Sequence, residues 1–531
     1  MSAKRDFSIS RRDFLATTTA AAIAAALPAS AQTPAPAPST GPWTRVSLTD
    51  PAAPAMLASY GTAVTALLKL GATDGLNFYR NAFIHTLDCP HGNWWFLPWH
   101  RGYLGWWEQT VRLYSGNPNF AFPYWDWTAQ PFVPDAFWST TANPNNPLDP
   151  SSSIYYSSYS AFQSYFSAAM TQFYSGLSAA QQQQLTYRGL NTANLFWQAA
   201  AGDWANPART LTEQNNSLPD QTAVNLATIQ QALQTPFFAG DLVTTFGGFG
   251  SDYAAQHSGG GSEGILESQP HDNVHGDIGG FMGAFLSPID PIFMAHHANI
   301  DRLWTVWTAQ QQAAGQPTLP TFKLTTWQNE PFLFYVDSQG NPVTQNTASA
   351  YETPSLFNYN YTQGSPLPSA TAETMAAKAF SESSVRRVTG TVRAAQVNFS
   401  QPAVAHVVLP EGTAASAGLG RRRVRAHLTI ERPANTRGIR FHVFVNPPQN
   451  EATLESSHPS YAGTIQFFGN MHHQHATTFT VPLEKTLADL RAANALPTGD
   501  TIDIYVVAQS RAIALRALPP VSVTKVEIST F

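Results

Sequence analysis

The chain has 531 residues, 43% of them hydrophobic and 12% aromatic, enough to bury a large core in two or three domains. Only 12% are charged and the formal net charge is −5, which excludes the basic footprint of a nucleic-acid binder. The single cysteine, Cys89, excludes an internal disulfide.

In chain order, residues 1–31 read as an export leader. Arg11 and Arg12, followed by Asp13, Phe14 and Leu15, form a twin-arginine pattern. An Ala-rich stretch then runs to Ala29-Ser30-Ala31, a small-residue cleavage site. That stretch is too short and too weakly apolar to span a membrane. The expectation is an exported, periplasmic or secreted protein with no membrane anchor.

Residues 32–361 read as one mainly α domain. Helical apolar spacing covers about 52–70. A second helix is expected to begin near His100 and to stop at Ser115-Gly116-Asn117-Pro118. Gln- and Ala-rich helices follow between 160 and 235. The glycines of 246–264 lack the Lys-Ser/Thr of a phosphate cradle and read as a mobile loop. The helical pattern resumes over 296–315. Residues 362–385 are small and polar, as in a linker. From 386 to the end, short alternating β-branched runs predict an all-β sandwich or barrel, interrupted by one helix at LEKTLADLRAANAL. The basic run Arg421–Arg423 reads as a solvated turn.

Ten of the 15 histidines fall in three short stretches, so they mark chemistry rather than composition. His85, His91 and His100 lie in FIHTLDCPHGNWWFLPWHRGYLGWWE. His271, His275 and His297 lie in LESQPHDNVHGDIGG and DPIFMAHHANIDRLW. Imidazole suits copper, zinc, iron and nickel, and three neutral imidazoles per ion leave coordination positions open. On a helix, His271 and His275 project from one face. Asp301, one turn after His297, is placed to orient that ring or to brace its helix. A zinc protease would need Glu after His271, where this chain has Asp272. His472, His473 and His475 read as an exposed polar turn.

From about residue 50 to the end, these runs resemble the type-3 copper polyphenol oxidases, tyrosinases and catechol oxidases with plant-type architecture. His85–Cys89 with HGNWWFLPWHRGYLGWWE is similar to the copper-A region, and FAFPYWDW (120–127) to the aromatic stretch after it. Gly264–His275 with DPIFMAHHANIDRLW is similar to copper-B. FLFYVDSQGNPV and Tyr359-Asn360-Tyr361 resemble the segment that closes the catalytic unit (322–361), and IRFHVFVN and YAGTIQFFGNMHHQH resemble the family's last domain.

The resemblance implies a mainly α catalytic domain with a four-helix-bundle dicopper core, followed by a C-terminal β-sandwich (386–531) that covers the active site. It implies one copper on His85, His91 and His100 and a second on His271, His275 and His297. His296 becomes a neighbour of the site. Phe293 resembles the aromatic gate over the second copper. Glu267 stands where the family holds a water that accepts a phenolic proton. Cys89 is similar to the cysteine that forms a thioether to the second copper-A histidine, here His91. Five residues separate His85 from His91, where plant relatives have a long loop and disulfides; the Cys-x-His spacing is that of fungal relatives. Asp272 stands where an Asn often accompanies strong monophenol hydroxylation, and a carboxylate cannot donate as an amide can. The implied activity is O2-dependent oxidation of o-diphenols to o-quinones, with monophenol hydroxylation weaker. An oxygen-binding or copper-storing protein is the alternative.

Overall fold

The computed structural model describes residues 41–243, 245–258, 260–364, 385–433, 438–448, 454–469, 476–496, 499–510 and 519–531. The expected leader, most of the expected linker, and His472, His473 and His475 lie outside them. Among the described residues no helix is long and apolar enough to cross a membrane.

The chain folds as a mainly α domain followed by a C-terminal β domain. Four helices carry the expected ligands. α1 (Phe78–Asp88) starts at Asn77, whose side chain accepts the backbone N–H groups of Tyr79 and Arg80. α2 (Phe96–Ser115) begins four residues before His100, earlier than expected, because Pro98 falls in the first turn, where its missing N–H costs nothing. It ends at Gly116, whose φ of 69° is the left-handed stop that glycine supplies. α3 (Asp272–Ile278) follows a wide turn, Glu267–His271, that contains Pro270. With no N–H at Pro270, the Asp272 N–H closes instead on the Glu267 carbonyl five residues back. α4 (Ile292–Ala313) is the longest helix among the described residues, and all of its residues from Ile292 to Trp304 are buried.

Strand β1 (Trp43–Arg45) and strand β3 (Tyr359–Tyr361) pair in parallel and tie the start of the helical domain to its end. The β domain contains β4 (Arg386–Thr389), β5 (Thr391–Ala394), β6 (Gln396–Val397), β7 (Ala403–Val408), β8 (Val424–Ile430), β9 (Ile439–Val445), β10 (Tyr461–Ile465), β11 (Thr477–Pro482), β12 (Thr501–Ser510) and β13 (Val521–Thr530). The interposed helix is Glu484–Ala492. One sheet runs β10-β9-β12-β7-β5. The other runs β11-β8-β13-β4, with β6 on β13. Their apolar faces share one core that includes Val443, Phe467, Val481 and Ile504.

The helical domain adds one strand to this sandwich. β2 (Ser262–Glu263) pairs in parallel with β11, placing Ser262 against Thr478 and Glu263 against Phe479. The seam is polar and buried: Arg440 of β9 meets Asp277 at 2.8 Å, the Asn273 amide donates to the Thr464 carbonyl at 3.0 Å, and the Ser268 hydroxyl donates to the Thr480 carbonyl at 2.8 Å. β7 shows the expected alternation of burial, whereas β9 is buried along its whole length because its second face lies on the helical domain.

Within the segment 246–264, residues 246–252 do not form the mobile loop their glycines suggest. Residues 245–252 are all buried, and the Asp252 carboxylate accepts the N–H groups of Gly240 (2.6 Å), Gly247 (2.8 Å) and Gly248 (3.1 Å). The glycines permit this close backbone packing: a Cβ on Gly264 would come within 2.0 Å of the Gly250 carbonyl oxygen.

Candidate metal centre

The helices bring all six expected histidines into one buried cluster. His85 projects from the last turn of α1, His91 from the loop after it, and His100 from the second turn of α2. Their ring centroids form a triangle with sides of 5.2, 5.3 and 5.5 Å. His271, at the end of the wide turn, His275 of α3 and His297 of α4 form a second triangle with sides of 4.5, 5.0 and 5.4 Å. The triangles face one another: His100 stacks on His297 at 4.2 Å with 9° between planes, and His91 lies 5.5 Å from His271.

Hydrogen bonds decide which nitrogen each ring presents. Nδ1 of His85 meets the Phe285 carbonyl (2.7 Å), that of His100 the Phe96 carbonyl (2.8 Å), and that of His275 the Met282 carbonyl (2.5 Å). A carbonyl only accepts, so these Nδ1 atoms carry the proton and each Nε2 offers a bare lone pair. Nδ1 of His271 is held by the Asp272 carboxyl at 2.7 Å. Burial holds all six rings well below the usual histidine pKa, with His100 and His275 down to about 3, so they are neutral ligands near neutral pH.

This arrangement fits metal ions. The Nε2 atoms of His85 and His100 lie 3.4 Å apart, with both protons already committed elsewhere. Two facing lone pairs repel unless a cation lies between them. Metal–imidazole bonds of about 2.0 Å at a tetrahedral angle set the nitrogens about 3.3 Å apart. The Nε2 atoms of His275 and His297 lie 3.2 Å apart, and those of His91 and His271 are buried with no protein partner.

Asp301 does not touch His297, whose Nδ1 has no hydrogen-bond partner. Instead it braces α4 from behind: its carboxylate takes Arg101 at 2.6 Å, Arg45 at 3.0 Å, and the hydroxyls of Tyr359 and Tyr361. Of the two roles expected for Asp301, only the second is realised.

Glu267 lies beside His91 and His271, one histidine from each triad. One carboxylate oxygen accepts the Gly92 N–H at 2.8 Å, and the other accepts the Ser251 hydroxyl. Burial and the nearby Asp272 carboxyl raise the Glu267 pKa well above the usual carboxylate range. Asp272 is pushed up to about 8, mainly by burial. Cys89 Sγ lies 3.1 Å from His91 Nδ1, and Arg188 reaches the same sulfur at 3.4 Å. Phe293, at the start of α4, packs on His297 at 4.1 Å and edge-on to His85 at 5.1 Å.

One residue of the site was not anticipated from the sequence. Phe468 of the β domain stacks on His91, with centroids 4.3 Å apart and planes 30° apart, and meets the edge of His275 at 4.7 Å. Arg432 donates to the carbonyls of Phe468 (2.7 Å) and Gly469. The neighbouring Phe467 packs in the β core, whereas Phe468 belongs to the helical one. The sequence signal was slight: two adjacent Phe residues just past the end of β10, with nothing local to say that one of them packs outside the β core.

Two facing histidine triads in a helical core could hold two metal ions. Residues 70–310 match the common central domain of tyrosinase. A tyrosinase of Hahella sp. (strain CCB-MM4) is 32% identical over 288 residues, covering 53% of this chain and 49% of that one. Polyphenol oxidase II of Ipomoea batatas is 26% identical over 355 residues, covering 61% and 51%. The chain thus spans about half the length of these relatives. The structure of latent apple tyrosinase shares the fold, with a TM-score of 0.58 at 20% identity, over 93% of this chain and 98% of that one. Residues 70–310 thus carry a tyrosinase-type central domain, and the chain is similar there to tyrosinases and polyphenol oxidases.

Proposed function

We propose that the protein is a polyphenol oxidase acting mainly on o-diphenols, with His85, His91 and His100 holding one copper ion and His271, His275 and His297 the other. The observation that carries this reading is the pinning of Nδ1 protons on carbonyls, which turns bare Nε2 lone pairs toward one another. When bound, the coppers supply the exchange of electrons with O2 that takes an o-diphenol to an o-quinone.

The chain's own groups do the rest. Neutral, buried imidazoles hold the metals without competing protons. Glu267, fixed by Gly92 and Ser251, holds the water that takes up the phenolic proton. Phe293 restricts the ring space beside His297. A Cys89–His91 thioether fixes the His91 ring. Asp272 is occupied with the His271 imidazole and does not hold Glu267 in place, which favours diphenol over monophenol substrates.

The enzyme is latent in this form. Phe468 occupies the space over His91 and His275 where a phenolic ring must lie, and Arg432 holds it there. The full-length protein with Phe468→Ala, loaded with copper, tests both points. About two coppers per chain and quinone formation from catechol support the oxidase. Reversible O2 uptake with no quinone would establish the oxygen-binding alternative.

A further inference from the structure

A fourth imidazole stands among those of the second triad. His296 precedes His297 in α4 and is fully buried. Its ring lies 4.8 Å from that of His275, 5.0 Å from His297 and 5.4 Å from His271. By proximity alone it is as good a ligand as the others, and the four rings can bring one nitrogen each within 4.8 Å of the rest.

Its hydrogen bonding runs the other way. Trp127 donates its indole N–H to Nδ1 of His296 at 3.1 Å. An indole nitrogen is a donor only, so Nδ1 must be bare and the single proton of the ring sits on Nε2. Nδ1 of His85, His100 and His275 carries the proton instead, because a carbonyl faces it. With its one lone pair engaged by Trp127, His296 cannot bind a metal unless it becomes an anion. The protonated Nε2 is buried and has no partner. It lies on the edge of the ring turned away from Trp127. A buried donor left unpaired is destabilising, a penalty the site's occupant can relieve.

We propose that His296 is not a copper ligand but a fixed hydrogen-bond donor, aimed at a small anionic or oxygen-bearing ligand held beside the second triad. The inference rests on the dicopper reading. Trp127 acts through His296: by occupying Nδ1 it fixes the tautomer, and so decides which of two adjacent histidines takes the metal.

The test uses the full-length, copper-loaded protein and azide as the small-anion probe. Wild type, His296→Asn, His296→Phe and His297→Asn are compared for copper per chain by elemental analysis and for azide affinity by optical titration. The amide of Asn can accept from Trp127 and still donate, whereas Phe can do neither. Both His296 variants are expected to keep two coppers while His297→Asn loses one. Azide should bind about tenfold more weakly to His296→Phe, the loss of one good hydrogen bond, and within threefold of wild type to His296→Asn. Loss of a copper from His296→Asn, no azide binding to wild type, or equal azide affinity in the Phe variant would each overturn the proposal. Wild type holding no copper would instead bring down the dicopper reading on which it rests.

Discussion

Phe468 lies nearly parallel to His91 with ring centroids 4.3 Å apart, although the two residues belong to different domains and are 377 positions apart in sequence. An offset aromatic pair of this kind contributes about 0.5–1.5 kcal/mol beyond its buried area. The ring over the metal ligands is therefore supplied by the protein itself.

Trimming that ring should switch the enzyme on. In the full-length chain, Phe468→Ala is expected to raise catechol oxidation at least tenfold, while lowering unfolding free energy by about 3–5 kcal/mol, the usual result of truncating a buried Phe. Deleting everything from about residue 370 should also raise activity. It would, however, strip β11 from β2 and leave Asp277 without Arg440, so the truncated protein should aggregate more readily. Unchanged activity in the point variant would remove Phe468 as the plug.

Arg432 should matter for the same reason from one step back. Its guanidinium ties down the carbonyls of Phe468 and Gly469 and faces the carboxyls of Glu263 and Asp272. Arg432→Met leaves those carbonyls without their donor, a cost of about 1–3 kcal/mol to the plugged state. Activity is expected to fall between that of the wild type and that of Phe468→Ala. An Arg432→Met protein as latent as the wild type would mean that the plug is held by other contacts.

Cys89 should not survive copper loading as a thiol. Burial pushes it up to about 12, so in copper-free protein it is inert, yet its sulfur lies 3.1 Å from Nδ1 of His91. Mass spectrometry of the peptide carrying both residues should show a deficit of two hydrogens after loading with copper in air, and none before. A free, alkylatable Cys89 in loaded protein would refute the crosslink.

His257 should impose an alkaline limit on stability. Burial alone would lower its pKa, but the Asp88 and Glu330 carboxylates, at 3.3 and 2.9 Å, raise it to about 9. The folded value exceeds the unfolded value of about 6.5, so the stabilisation is complete below pH 6.5 and is lost as pH rises through 9. It amounts to about 3 kcal/mol. Melting temperature should fall between pH 7 and 9.5 in the wild type and much less in His257→Gln. Parallel pH curves for the two proteins would rule out this role.

Much of the site was legible in the sequence because metal binding constrains local spacing. His271 and His275, four residues apart, remain neighbours even though a wide turn, and not a regular helix, carries the first of them. The β domain was legible from alternation, as β7 shows. The glycines of 246–252 misled, because the same residues that loosen a loop also let backbones pack closely around Asp252.

By itself, the sequence determined the six ligand candidates, the helical and β halves of the chain, and the presence of one cysteine beside His91. These follow from residue type and near-neighbour spacing. Only the tertiary structure decided which nitrogen carries the proton in His85 and His296, because that depends on a carbonyl or indole brought in from far along the chain: Phe285 for His85, Trp127 for His296. It also decided that Asp301 serves the arginines behind α4 and that Phe468 crosses a domain seam to lie on His91. Contacts between residues hundreds of positions apart leave no periodicity to read, since they are set by how two finished domains pack.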